Sequence, residues 1–223
     1  MKTIEIKAIQ DMDRIKRLNL INSISGISPA NLVGTISNDL TENLSIFSSV
    51  IHIGSNPPLM GFILRPTENN RRDTYENIIK TNKFTINHIH SDMIQKSHYT
   101  SVKFKKNESE FKKCQLTPEY LNSFQAPYVK ESYVKIGLNL EDINLIKSNG
   151  CRLIIGCIEH IYVPENTLHE NGNIQLELLD SIGVSGLNTY YSLNKIKEYP
   201  YARVDDTFFK KKIMTRTNIK STK

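Results

Sequence analysis

Two adjacent prolines, Pro57 and Pro58, stand between two short apolar runs, residues 44–53 and 59–64. Proline has no amide hydrogen to give to a strand ladder, so the first strand must end before them and the second must start at or after them. Both runs read as strands, and the chain reverses between them. Arg65, Arg71 and Arg72 follow at once. Residues 43–72 therefore set hydroxyls and polar backbone beside apolar strands, with fixed positive charge at the rim. Such a site suits a flat, partly apolar ligand that ends in an anion.

Other segments extend the pattern. Residues 32–37, 84–90 and 133–138 read as further strands, and residues 138–147 and 151–163 as a hairpin turning through Ser148, Asn149 and Gly150. Residues 4–20 read as a strand plus a short turn of helix. A helix over residues 73–80 is expected to be capped by Asp73 with Glu76 three residues on, and a second over 92–99 to open at Asp92. Residues 103–113 read as a mobile connector, 119–124 as a helical turn, 174–179 as ambiguous, and 183–191 as a glycine-containing loop leading to a strand or turn. Six or so short strands with only short helices between them predict a mainly β chain, an antiparallel barrel with short peripheral helices, rather than repeated βαβ units.

Charge narrows the function classes. The formal net charge is +6, but residues 210–223 alone carry six basic side chains and no acidic one. The remainder holds 23 basic against 23 acidic residues. The body is thus no polycation, and a nucleic-acid partner is not expected. The tail reads as a solvated segment, with weak attraction to anionic surfaces as the alternative. With no apolar run of membrane-spanning length and no leader-like segment, a soluble cytoplasmic protein without a membrane partner is expected. Cys114, Cys151 and Cys157 form no CxxC pair and read as small buried hydrophobes; no metal site is expected.

Three constellations bear on chemistry. Ser48, Ser49 and Val50 could offer hydroxyls and apolar support to a planar ring such as the isoalloxazine of FMN, although serines in a strand are ordinary. Arg65, Arg71 and Arg72, with Thr74, surround a helix start, where amides, a hydroxyl and guanidinium forks favour phosphate. A solvated charge run explains the same residues. Asn87 and His88 follow on the next strand, as pocket-lining groups or as hydrogen-bonded edge residues. Neither a Ser/His/Asp arrangement nor a GxGxxG or GxxxxGK loop is present.

Asn31-Leu-Val-Gly-Thr-Ile, Asn43-Leu-Ser-Ile-Phe-Ser-Ser-Val, Asn56-Pro-Pro-Leu, Arg65-Pro, Arg72-Asp-Thr-Tyr-Glu-Asn-Ile and Phe84-Thr-Ile-Asn87, in that order, resemble the flavin reductase-like family with the FMN-binding split barrel. The resemblance implies a Greek-key split β-barrel over residues 1–209, with 165–209 as a peripheral extension and 210–223 as a basic tail. It implies a homodimer holding FMN near the subunit interface, with Ser48, Ser49 and Val50 along the isoalloxazine. Arg65, Arg72 and Thr74 would lie at the phosphate with Arg71 nearby, and Asn87 and His88 would line the pocket. Residues 183–191 and 201–203 look like the variable part that borders the site.

The activity so implied is an FMN-dependent oxidoreductase taking electrons from NAD(P)H and passing them to flavin or a small-molecule acceptor. No protein side chain is required as a catalytic nucleophile. A non-enzymatic FMN-binding or electron-carrier protein is the alternative, and an interaction module using the basic tail a more distant one.

Overall fold

The computed structural model describes residues 1–68, 70–204 and 208. At the N-terminus the expected strand gives way to two helices, α1 (Ile6–Gln10) and α2 (Arg14–Ser23). Asp13 decides the second. Its carboxylate accepts from the amides of Ile15 (2.9 Å) and Lys16 (3.2 Å), satisfying donors that a helix start leaves unpaired.

The strands that follow are β1 (Ser28–Pro29), β2 (Asn31–Ile36), β3 (Glu42–Phe47), β4 (Ile51–Ser55) and β5 (Pro58–Leu64). Helix α3 (Asp73–Thr81) and β6 (Lys83–His88) come next, then a 3₁₀ turn (Ser91–Met93), α4 (Ile94–Tyr99) and α5 (Glu110–Lys113). Short strands β7 (Pro118–Glu119) and β8 (Tyr128–Val129) precede the long hairpin of β9 (Lys135–Ile146) and β10 (Cys151–Tyr162). Two 3₁₀ turns (Glu165–Thr167 and Leu176–Leu179) lead to the hairpin of β11 (Ile182–Ser185) and β12 (Thr189–Ser192).

Among the described residues, seven strands form one sheet in the order β3-β2-β6-β9-β10-β5-β4, every pair antiparallel. β3 and β4 are consecutive in the chain yet lie at opposite edges of that sheet. Residues 48–50 must therefore span from one edge to the other, which curls the sheet into a barrel. One straight strand over residues 44–53 could not reach both edges, so the expected single strand is broken at Ser48. Val33, Phe62, Leu64, Phe84, Ile86, Leu138 and Ile154 fill the interior. Phe62 meets Phe47 and Phe84 at ring separations of 4.6 and 5.7 Å. Burying each such ring contributes about 1.5–3 kcal/mol.

A second cluster, including Leu32, Leu44, Ile89, Phe111 and Val184, covers the outer side. Both faces of β2 are consequently buried, and its residues do not alternate apolar with polar.

Further corrections follow from tertiary contacts. The N-cap of α3 is Arg72, not Asp73, because the Asp73 carboxylate is drawn to Arg71. Asp92 caps no helix; it sits inside the 3₁₀ turn that precedes α4. Residues 103–113 are more than a connector: α5 buries Phe111 and Glu110, and Glu110 Oε2 accepts from the outward amide of Leu44 at 3.1 Å. Residues 119–124 form no helical turn: Glu119 pairs with Tyr128 of β8, and Asn122 and Ser123 turn the chain in the left-handed region, with φ of 51° and 59°. The strands expected at 133–138 and 138–147 are one strand, β9. Gly137 on that strand is required by a close approach, because a Cβ there would lie 2.2 Å from the Tyr128 hydroxyl.

The chain divides into a unit spanning Met1–Leu193, which holds the barrel, and a second beginning at Asn194. Residues 194–203 of the second unit carry neither helix nor strand. The basic tail, residues 210–223, lies outside the described residues. Among the described residues the three cysteines are free, no cluster of His, Cys, Asp and Glu could hold a metal ion, and no helix is long and apolar enough to cross a membrane.

Candidate functional site

The register of β2 pairs Asn31 with Phe47 on one side and with His88 on the other. Cross-strand partners project from the same face of a sheet. Val33 and Ile86, two residues away and paired with each other, belong to the barrel interior. Phe47, Asn31 and His88 therefore form one inward-facing row, at the end of β3 where the chain sets off through Ser48, Ser49 and Val50.

Asn31 is 1% exposed, and neither its Nδ2 nor its Oδ1 has a hydrogen-bond partner. An amide buried without partners costs about 1–3 kcal/mol. Asn87 makes the contrast plain. From the opposite face of β6, its Nδ2 donates to Leu32 O (3.2 Å) and Thr85 Oγ1 (2.9 Å), while its Oδ1 accepts from Val129 N (3.0 Å). Asn87 is wholly occupied in fastening β2, β6 and β8. Asn31 is left with a donor and an acceptor to spare, the complement of a ligand edge that alternates N–H and C=O.

The remaining candidates divide by what already holds them. Ser49 Oγ accepts from Ile63 N (3.1 Å) and donates to Ile63 O (3.2 Å), so its hydroxyl is committed to closing the barrel. Ser48 is half-buried and its hydroxyl makes no hydrogen bond among the described residues. Val50 is buried in the barrel core. His88 is half-buried, and desolvation pushes its imidazole pKa down to about 4, so the ring is neutral at pH 7.

Among the cations, Arg65 is exposed and lies two residues beyond the anchor at Ile63. Arg72 is half-buried and donates through Nε to Pro66 O at 3.5 Å. Neither has a carboxylate partner among the described residues. Arg71 does: it pairs with Asp73 at 2.9 Å and also donates to Phe104 O at 3.3 Å. Thr74 is 4% exposed, and its Oγ1 accepts from Asn43 Nδ2 at 3.1 Å inside a network that includes Thr35 and Asn77.

The fold thus joins Asn31, His88 and Ser48 in one neighbourhood, and leads through Ser49 and Ile63 to Arg65 and Arg72. Thr74 and Asn87 lie in buried networks instead. A separate polar cleft beside α3 is lined by Asp39, Glu42, Asp73, Glu76 and Glu110 with Lys80 and Lys106, an excess of negative charge that would repel a phosphate. The motif carrying Asn31 was visible in the sequence, but its role was not, because burial without a partner is a tertiary property.

A model of the Flavin reductase like domain matches residues 26–180, which include the whole neighbourhood. The chain belongs to the flavin reductase like family. This family member is 30% identical over 164 residues to an uncharacterized protein of Aquifex aeolicus (strain VF5), covering 73% of this chain and 82% of that one. Among solved structures it is similar to a candidate flavin reductase with a split barrel domain from Shewanella frigidimarina NCIMB 400. That match has a TM-score of 0.87 at 42% identity and covers 91% of this chain and all of the other. Nitrilotriacetate monooxygenase component B from Bacillus cereus shares the fold, with a TM-score of 0.77 at 24% identity over 89% of this chain and 98% of the other. The predicted antiparallel split barrel is therefore the fold of this family member.

Proposed function

We propose that the chain binds FMN at the Asn31 end of the barrel and acts as an FMN-dependent oxidoreductase fed by NAD(P)H. The observation that carries this reading is the buried, unpartnered amide of Asn31, set between Phe47 and His88 in a member of the flavin reductase like family. The similarity to a candidate flavin reductase at 42% identity supports it. When bound, FMN supplies the redox chemistry, taking up a hydride equivalent and releasing electrons to a small-molecule acceptor.

The chain's own residues bind and orient. Asn31 offers a donor and an acceptor to the ring's alternating N–H and C=O edge, and the Ser48 hydroxyl extends that polar edge. Backbone amides of residues 48–50, outside any strand, are available to the electron-rich reduced ring. Phe47 and Val50 keep water from the apolar side. Arg65 and Arg72, with no carboxylate partner among the described residues, hold the phosphate. Arg71 and Thr74 act indirectly, steadying the start of α3, while Ser49 and Asn87 hold the barrel seam and β6 in place. His88 adds an uncharged polar wall.

A homodimer belongs to the same reading. Among the described residues β4 is paired on one side, and it leaves Ile51 (46%) and Ile53 (37%) exposed at its open edge, a surface suited to a second copy.

Anaerobic absorption spectroscopy tests the assignment. The purified chain titrated with FMN should perturb the flavin bands, and NADH or NADPH should then bleach them. Binding without bleaching would make the chain a flavin carrier; no binding would remove the cofactor reading altogether.

A further inference from the structure

The polar cleft beside α3 has a volume of about 70 Å³, where about 10–15 Å³ holds one water. Three segments converge on it: the turn from β2 into β3, helix α3, and the approach to α5. Two of its lining side chains, Asn43 and Asn77, are only 6% and 5% exposed. Both spend their amide nitrogens on one hydroxyl. Asn43 Nδ2 donates to Thr35 Oγ1 at 3.0 Å and to Thr74 Oγ1 at 3.1 Å, and Asn77 Nδ2 donates to Thr35 Oγ1 at 3.1 Å. With the nitrogens held there, both Oδ1 atoms face the cleft and have no hydrogen-bond partner among the described residues. The cleft is thus floored by acceptors that lack donors.

Charge there is out of balance as well. Of the carboxylates on the lining, Asp73 is paired with Arg71 (2.9 Å) and Glu108 with Lys113 (2.8 Å). The other four, Asp39, Glu42, Glu76 and Glu110, have no ion-pair partner among the described residues. Set against Lys80 and Lys106 on the same lining, these four leave a surplus of two negative charges. Glu110 is 8% exposed and gives its Oε2 to the Leu44 amide; burial pushes its carboxyl pKa up, the mark of a charge whose hydration is incompletely replaced. Among the described residues no cluster of carboxylates could hold a metal ion, so the surplus is spread along the cleft rather than gathered at a point.

We infer that this cleft binds a small aliphatic diammonium ion. One ammonium, a group with three N–H donors and no acceptor, meets Asn43 Oδ1, Asn77 Oδ1 and the Glu110 carboxylate. The second balances Asp39, Glu42 and Glu76, which are more exposed. A neutral polyol would leave the surplus charge in place, and a single ammonium would balance half of it. The chain's formal net charge is +6, so a dication gains nothing from the overall field and is held by these local groups alone. The site is separate from the Asn31 pocket and needs no flavin there.

Isothermal titration calorimetry of the full chain at low ionic strength and neutral pH tests the site with two dications. Butane-1,4-diammonium carries N–H donors; its bis(trimethylammonium) counterpart has the same charge and none. The first should bind at a single site, and the second at least about tenfold more weakly. Glu110→Gln keeps an acceptor for Leu44 but removes a charge, and should weaken the diammonium by about tenfold with no loss in urea midpoint. Equal binding of the two dications would reduce the cleft to a diffuse counterion field and overturn the site. So would the absence of diammonium binding, or an unchanged affinity in Glu110→Gln. Should that variant fail to fold, the comparison of the two dications on the natural chain decides alone.

Discussion

The hydroxyl of Ser49 makes both hydrogen bonds that a neighbouring strand would make to Ile63, accepting from its amide and donating to its carbonyl. The register of β4 on β5 pairs Ile51 with Gly61, and continued by two residues it would pair Ser49 with Ile63. A side chain thus finishes the ladder where the backbone has already turned to cross to the other edge of the sheet.

Ser49→Ala removes that closure and leaves two backbone groups of β5 without their partner. Stability should fall by about 1–3 kcal/mol. A urea titration followed by far-UV circular dichroism measures it, and an unchanged midpoint would show that the seam holds without the hydroxyl.

Glu110 seals the outer edge of β3 at Leu44, and burial raises its carboxyl pKa above the ordinary value. Charge is therefore a cost at this position while the acceptor oxygen is a gain. Glu110→Gln keeps an acceptor and should be neutral or stabilising. Glu110→Ala leaves the Leu44 amide unpaired and should lose about 1–3 kcal/mol. Urea midpoints of the two variants decide the matter, and equal losses would contradict it.

His88 sets a pH dependence. Its pKa falls from 6.5 to about 4 on folding through desolvation, so the unfolded chain takes up a proton at a higher pH than the folded one. Its contribution to stability is unchanged above about pH 6.5 and falls as pH drops from there toward 4, by about 2 kcal/mol between pH 7 and 5. His88→Leu should flatten that part of the profile. Parallel profiles for the two proteins would show that other groups govern it.

Much of the fold could be read from local chemistry. Pro57 and Pro58 mark a real reversal between β4 and β5, and the turn at residues 148–150 joins β9 to β10 as expected. What escaped depends on distant partners. The break at Ser48 exists because two sheet edges must be bridged, and nothing in a run of alternating residues announces that. Asp73 looked like a cap until Arg71 claimed its carboxylate. Glu110 lies in the stretch that read as a mobile connector, yet it is buried against β3. At the site, the residue types around 48–50 and 65–72 were legible from motif order. Which hydroxyls and amides remain unspent was not, since Ser49, Thr74 and Asn87 are engaged by residues 14, 31 and 42 positions away.

Arg72→Ala tests the phosphate end. FMN and riboflavin differ by the phosphate alone, so FMN should lose about 2–5 kcal/mol of binding while riboflavin loses little. Fluorescence titration with both ligands gives the comparison. Equal losses would move the phosphate away from Arg72.

The most direct measurement is FMN titration of Asn31→Leu beside the natural chain, with urea stability of both ligand-free proteins taken in parallel. An amide kept for a ligand should give FMN binding weaker by at least about tenfold, with the ligand-free protein as stable as before or more so, because an unpaired buried polar group has been removed. FMN affinity that does not change in Asn31→Leu would contradict the assignment of this end of the barrel as the flavin site.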